Sequence, residues 1–232
     1  MGGNTGRMQQ IAIYDLDRTL LRKPTFTPFL IFAARIAAPW RLLLLPVWVI
    51  AMIGYRLGLY GRKPLKQFGL RLLAGNYLPN AVYAPIAADF ARQRIIRDYS
   101  TAAQHSVRVH REAGARIVIA TAAPEIYACE IARQLGIDDV IATRHLRTDD
   151  PAGFMAAFDG ENCYGEEKLR RIEIWMQAQN LARADCHITS YSDHPSDAPM
   201  LNWSDAAVLI TRSAKLTKKA HANGWAILDF AT

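Results

Sequence analysis

With 232 residues, 51% hydrophobic and 21% charged, the chain is long enough for one large domain or for a core carrying an insert. Its three cysteines, Cys129, Cys163 and Cys186, form no Cys-x-x-Cys pair, which excludes a disulfide framework and a zinc cage and points to a reducing compartment. The net charge of +7 is uneven: residues 25–108 carry eleven Lys or Arg against Asp89 and Asp98, a net +9, so the rest carries −2, which reads either as a face for an anionic partner or as an ordinary solvated basic surface.

The opening MGGNTGRMQQ has no apolar signal core and reads as a loose lead-in. The first predicted strand is IAIYD, residues 11–15, and Asp17 follows Asp15 at its end. Two carboxylates so close repel each other and resist burial, so they call for a cation. A divalent metal held between carboxylates points to phosphate chemistry. Residues 25–110 show only helical patterns and read as a helical insert, a lid. Within it, Leu42–Tyr55 is an uncharged apolar run of 14 residues, short of the ~20 needed to cross a bilayer. Arg41 and Arg56 bracket the run, and Arg62, Lys63 and Lys66 follow it. It reads either as buried lid core or as a membrane-surface helix with its cations facing an anionic bilayer.

After the insert, strands and helices alternate. ARIVIAT at 115–121 precedes a helix from Pro124, and DVIAT at 139–143 precedes a helix from Gly165. CHITSYSD at 186–193, AAVLIT at 206–211 and WAILDF at 225–230 complete the strands. The alternation predicts an α/β fold with a mainly parallel sheet, whose ligand site lies beyond the carboxyl ends of the strands. Asp15, Asp17, Thr121 and Asp193 all fall at such ends. No Gly-x-Gly-x-x-Gly pattern is present, so a dinucleotide site is not expected.

In order along the chain, Asp-Leu-Asp-Arg-Thr-Leu at 15–20, IVIATAAPE ending a strand at Thr121, ENCYGEEKLRRI with Lys168, and SYSDHPSDAPML with Asp193 and Asp197 resemble the four motifs of the haloacid dehalogenase superfamily. Asn162 to Gly165 before Glu-Glu-Lys, and the ending GWAILDF, resemble its phosphoserine-phosphatase-like subfamily IB. The resemblance implies a three-layer Rossmann-like parallel-sheet core, residues 1–24 and 109–232, with an all-helical cap, residues 25–108, inserted after the first strand. It also implies a Mg²⁺-dependent phosphatase. Asp15 would be the nucleophile and Asp17 the acid and base. Thr121 and Lys168 would hold the phosphoryl group, and Asp15, the Asp17 carbonyl and Asp193 would hold Mg²⁺. Asp197 and Thr19 would support these groups from behind, and Arg18 and Ala122 would touch substrate. Arg18 stands where the family often has Gly, and Ser196 where many relatives have Asn. His194 is expected to be a loop residue, because Mg²⁺ prefers oxygen. The implied partner is a phosphorylated small molecule or a lipid head group, with an anionic membrane surface as a further partner and no nucleic acid. The apolar run also resembles that of the phosphatidylglycerophosphatase C group of the subfamily. A non-catalytic anion-binding role is the remaining alternative. Phosphoserine itself is disfavoured, since no Glu lies between Pro24 and Arg71 to meet its ammonium. A cytoplasmic location is expected, with peripheral contact at the inner membrane surface.

Overall fold

The structure, a computed structural model, describes residues 8–149 and 152–229. The lead-in before Met8 and the last residue of the expected final strand, Phe230, lie outside them. Strand β1 (Gln9–Tyr14) is followed by α1 (Phe26–Ala37), a 3-10 turn (Pro39–Leu44), α2 (Leu45–Arg56), α3 (Arg62–Gly69), a short π-type turn, β2 (Tyr77–Pro79), α4 (Asn80–Asp98) and α5 (Thr101–Glu112). Then come β3 (Arg116–Pro124), α6 (Glu125–Gln134), β4 (Asp139–Thr143), β5 (His145–Asp149), β6 (Ala152–Phe158) and α7 (Glu166–Ala178). The chain continues through β7 (Cys186–Ser192), α8 (Ala198–Trp203), β8 (Ala206–Ile210), α9 (Ala214–Ala222) and β9 (Ala226–Leu228).

Six strands form one parallel sheet in the order β4-β3-β1-β7-β8-β9. Successive side chains of a strand point to opposite faces, so the apolar stretch 11–14 of β1, buried throughout, must be covered on both. Ile11 and Ile13 join Ile172 and Met176 of α7 and Met200 of α8 in one core. Ala12 and Tyr14 join Val107 of α5, Ile131 of α6 and Phe90 of α4 in the other. The result is the expected three-layer α/β core. Tyr14 stacks on Tyr191 with ring centroids 4.4 Å apart, and its hydroxyl shares a 2.7 Å hydrogen bond with Ser106. Helix α5 is capped by Ser100, whose hydroxyl accepts from Ala103 N at 3.1 Å. It runs across the cap boundary drawn at residue 108, with Ser106 and His110 bonded to Tyr14 and Tyr191 of the core sheet.

The insert is helical apart from β2, which corrects the expectation of helix throughout. That strand pairs antiparallel with β6, and β6 with β5, in a second sheet of three strands. Neither β5 nor β6 was expected from the sequence. Their inward residues, His145, Ala156 and Phe158, are buried and give the hairpin its reason to form.

Residues 42–55 are divided: Leu42, Leu44, Leu45, Ala51, Met52 and Tyr55 pack against the core, and the opposite side faces solvent. Only Trp48 and Gly54 of that stretch are buried, while Leu43 and Ile50 are 82% and 68% exposed. Among the described residues no helix is long and apolar enough to cross a membrane.

Candidate active site

The carboxyl ends of β1, β3 and β7 converge on one cavity of about 440 Å³, roofed by the cap helices. Its floor holds Asp15, Asp17, Thr121, Ala122, Lys168, Asp193 and Asp197, so the strand-end residues singled out in the sequence do meet. The geometry centres on Lys168, brought by the first turn of α7. Its Nζ donates to Asp15 Oδ1 at 2.7 Å and to Asp197 Oδ2 at 2.6 Å, and the side chain is buried. The same Asp197 oxygen accepts from Ser192 Oγ at 2.7 Å. Thr121 is buried and its Oγ1 accepts from Ala123 N at 3.0 Å.

Asp17 is turned away from Lys168. Its Oδ1 accepts from both the backbone N and the hydroxyl of Thr25, at 2.9 and 2.7 Å, where α1 begins. Arg18 has φ of 61°, the left-handed region that glycine occupies freely and other residues enter at a cost of ~1–2 kcal/mol. Glycine would enter this region without that cost. The Arg18 guanidinium is exposed at the cavity and its charge favours ionised Asp193. Thr19 is buried, and its hydroxyl has no partner among the described residues.

Crowded carboxylates out of water bind protons. Burial pushes the Asp15 carboxyl up to about 7 despite Lys168, and that of Asp193 up to about 6. Burial also raises Asp17, against the pull of Thr25. Burial alone would lower Lys168, but Asp15 and Asp197 carry it above its ordinary range, so it stays an ammonium.

Whether a divalent cation fits can be judged from the donors. Among the described residues no three His, Cys, Asp or Glu side chains form a metal cage. Asp15 and Asp193 with one backbone carbonyl make a smaller, all-oxygen set, the kind Mg²⁺ accepts because it retains several waters. The raised Asp15 and Asp193 and the buried, unpartnered Oδ1 of Asp197 mark a site short of positive charge. The residues fit the ion. His194 Nδ1 accepts from the backbone N of Ser196 at 3.1 Å and shares a 2.7 Å hydrogen bond with the Ser196 hydroxyl.

The cap supplies what the sequence reading missed. Lys66 of α3, expected on a basic surface, is buried. Its Nζ donates to Ala122 O at 2.5 Å and Asn162 Oδ1 at 3.1 Å, and burial brings it down to about 7. Arg62 stacks over Tyr164, 3.8 Å from the ring centroid, while Lys63 pairs with Glu161 at 2.8 Å. Phe26, Trp48, Met52, Tyr55 and Arg56 complete the cap wall. The only signal these positions gave in the sequence was the basic, aromatic character of the segment.

The sequence model of the haloacid dehalogenase-like hydrolases matches residues 12–202. The chain belongs to that family. Over 212 residues it is 31% identical to protein CicA of Caulobacter vibrioides, covering 88% of this chain and 87% of the relative. It is 32% identical over 123 residues to phosphoserine phosphatase SerB1 of Mycobacterium tuberculosis, 53% of this chain and 39% of that one. A Bordetella pertussis protein described as of unknown function superposes with a TM-score of 0.84 at 26% identity, covering 96% of this chain and 99% of the other. A phosphoserine phosphatase captured as a phospho-aspartyl intermediate analogue superposes with a TM-score of 0.60 at 15% identity, covering 95% and 93%, which shows a shared fold.

Proposed function

We propose that the protein hydrolyses a phosphomonoester through an aspartyl-phosphate on Asp15, with Mg²⁺ as cofactor. The observation that carries the reading is the buried Asp15–Lys168–Asp197 chain at the cavity floor, with Asp17 held apart by Thr25. An Asp15 oxygen attacks phosphorus, and the bond from phosphorus to the ester oxygen breaks. Asp17 gives its proton to the departing alkoxide. A water then attacks phosphorus and yields its proton to Asp17, which frees Asp15 and phosphate. Lys168 and the Thr121 hydroxyl face the phosphoryl oxygens as charge builds on them. Mg²⁺, held by Asp15, the Asp17 carbonyl and Asp193, would neutralise the repulsion between carboxylate and phosphate.

The raised carboxyl of Asp17 suits an acid that must hold a proton. The name of the mycobacterial relative makes phosphoserine a natural test substrate. Against it, among the described residues the acids lining the cavity are Asp15, Asp17, Asp193 and Asp197, all from the core, and the cap wall offers no carboxylate for an ammonium group. A lipid head group is the second reading, favoured by the apolar Phe26, Trp48 and Met52 in that wall.

The test is hydrolysis of an aryl and an alkyl phosphate with and without chelator. Asp15→Asn is expected to abolish both with the fold intact. Asp17→Asn is expected to slow the alkyl ester about ten- to a hundredfold more than the aryl ester, which needs less protonation. Activity near wild type in Asp15→Asn would remove Asp15 as the nucleophile, and hydrolysis of neither ester by the wild type with Mg²⁺ would leave the non-catalytic anion-binding role standing.

A further inference from the structure

Helix α2 is apolar on two sides, and only one belongs to the cavity. Trp48, Met52 and Tyr55 face the site. On the other side Leu43, Val47, Ile50, Ile53 and Leu57 recur every three or four residues, the period of a helical stripe, and every one is exposed. Leu57 is 71% exposed and Leu59, just beyond, 73%. Soluble proteins rarely leave so long an apolar stripe in water without a partner.

The charge around the stripe selects the partner. From Arg18 to Ala88 the chain carries ten Lys or Arg and no Asp or Glu. Arg35, Arg56 and Arg71 of this segment are exposed. A second copy, docking about a two-fold axis, would set this basic segment against itself. At one end of the stripe stands Trp40, 61% exposed with the Arg41 guanidinium 4.9 Å from its ring, and at the other are Tyr55, Arg56 and Tyr60. An apolar helix flanked at both ends by aromatic and cationic side chains suits the boundary between lipid head groups and acyl chains.

We propose that the exposed face of α2 and its preceding turn docks the protein on an anionic lipid bilayer, lying in the interface without crossing it. A helix is about 10 Å across, so docking brings the cavity wall that α2 also forms within that distance of the lipid surface. A phosphomonoester displayed on that surface then enters the site from the side of the bilayer, a step that rests on the phosphomonoesterase reading. The docking itself does not.

Co-sedimentation with vesicles tests it. The protein is expected to bind vesicles of phosphatidylcholine mixed with phosphatidylglycerol, to leave them at high salt, and to ignore phosphatidylcholine alone. The double variant Ile50→Glu with Ile53→Glu, on residues outside the cavity, is expected to lose about tenfold or more in binding. It should keep its melting temperature and its hydrolysis of a soluble aryl phosphate. Arg35→Gln with Arg71→Gln should weaken binding and flatten its salt dependence. Failure of the wild type to bind anionic vesicles at low salt would overturn the proposal. So would undiminished binding by the Ile50, Ile53 variant, or a concentration-dependent dimer that this variant alone dissolves. Vesicle binding in a protein that hydrolyses no phosphate would sustain the docking while removing the catalytic reading. The converse result would do the reverse.

Discussion

Asp15 sits between two opposing effects. Burial favours its neutral form and Lys168, 2.7 Å away, favours the anion; burial wins, and the carboxyl ends near 7. A group whose folded pKa lies above its unfolded value binds extra protons in the folded state across that interval. Stability therefore falls as pH rises through it. Asp193, raised to about 6, acts in the same direction. Lys66, lowered to about 7, acts oppositely but only above that pH. His110, His145 and His194, lowered by burial, act oppositely below about pH 6.5. What is expected in chelator is therefore a contribution of Asp15 that lowers the melting temperature between about pH 4 and about pH 7, by roughly 2–4 °C for each kcal/mol lost, read as the difference from Asp15→Asn. The slope with pH should be more positive in Asp15→Asn, which has no carboxylate there to titrate. Equal slopes in the two proteins would show that burial does not govern Asp15. Asp15, Asp17, Thr121 and Asp193 were legible from their places at predicted strand ends, whereas Lys168 and Asp197 were legible only through the resemblance of their motifs. Lys66 and Arg62 were not, because a cation on an insert acquires a role only from where its helix lands.

At the level of elements, β4 was legible at residues 139–143, and β1, β3, β7, β8 and β9 to within a few residues, since apolar runs bounded by turns mark buried strands. The small sheet was not. HLRTD and AGFMAAF lack a run of β-branched residues, and they become strands by pairing with partners distant in sequence. Gly153 shows how close that pairing is. A Cβ there would lie 2.7 Å from Leu78 O and 2.6 Å from the Tyr77 ring, across the β2–β6 register. Backbone cannot swing aside as a flexible side chain can, so Gly153→Ala must push β2 and β6 apart. A loss of about 1–3 kcal/mol is expected in urea unfolding. A change within about 0.5 kcal/mol of wild type would show that the strands part freely.

Across the whole molecule the charge is divided by function. Residues 25–108 carry +9 while the rest carries −2, and Arg18, Arg56 and Arg62 line the cavity with no carboxylate within ion-pair distance among the described residues. The acids line the core floor, while among the described residues the charged side chains on the cap side of the cavity are all cations, Arg56, Arg62 and Lys66. An entrance of one sign raises the encounter rate of an oppositely charged ligand by about ten- to a thousandfold at low salt. Screening shortens the reach of that field from about 30 Å at 0.01 M to about 3 Å at 1 M. For a dianionic phosphomonoester at saturating Mg²⁺, kcat/KM is expected to fall about tenfold or more over that range, with kcat changing much less. The cations at the cavity floor act at contact distance and are screened little, so the loss should trace to the cap. Arg56→Gln with Arg62→Gln should start from a lower kcat/KM at low salt and converge on wild type at high salt. A salt dependence that persists in this variant would place the steering charge elsewhere. A kcat/KM independent of salt in the wild type would mean that the basic cap does not steer the substrate.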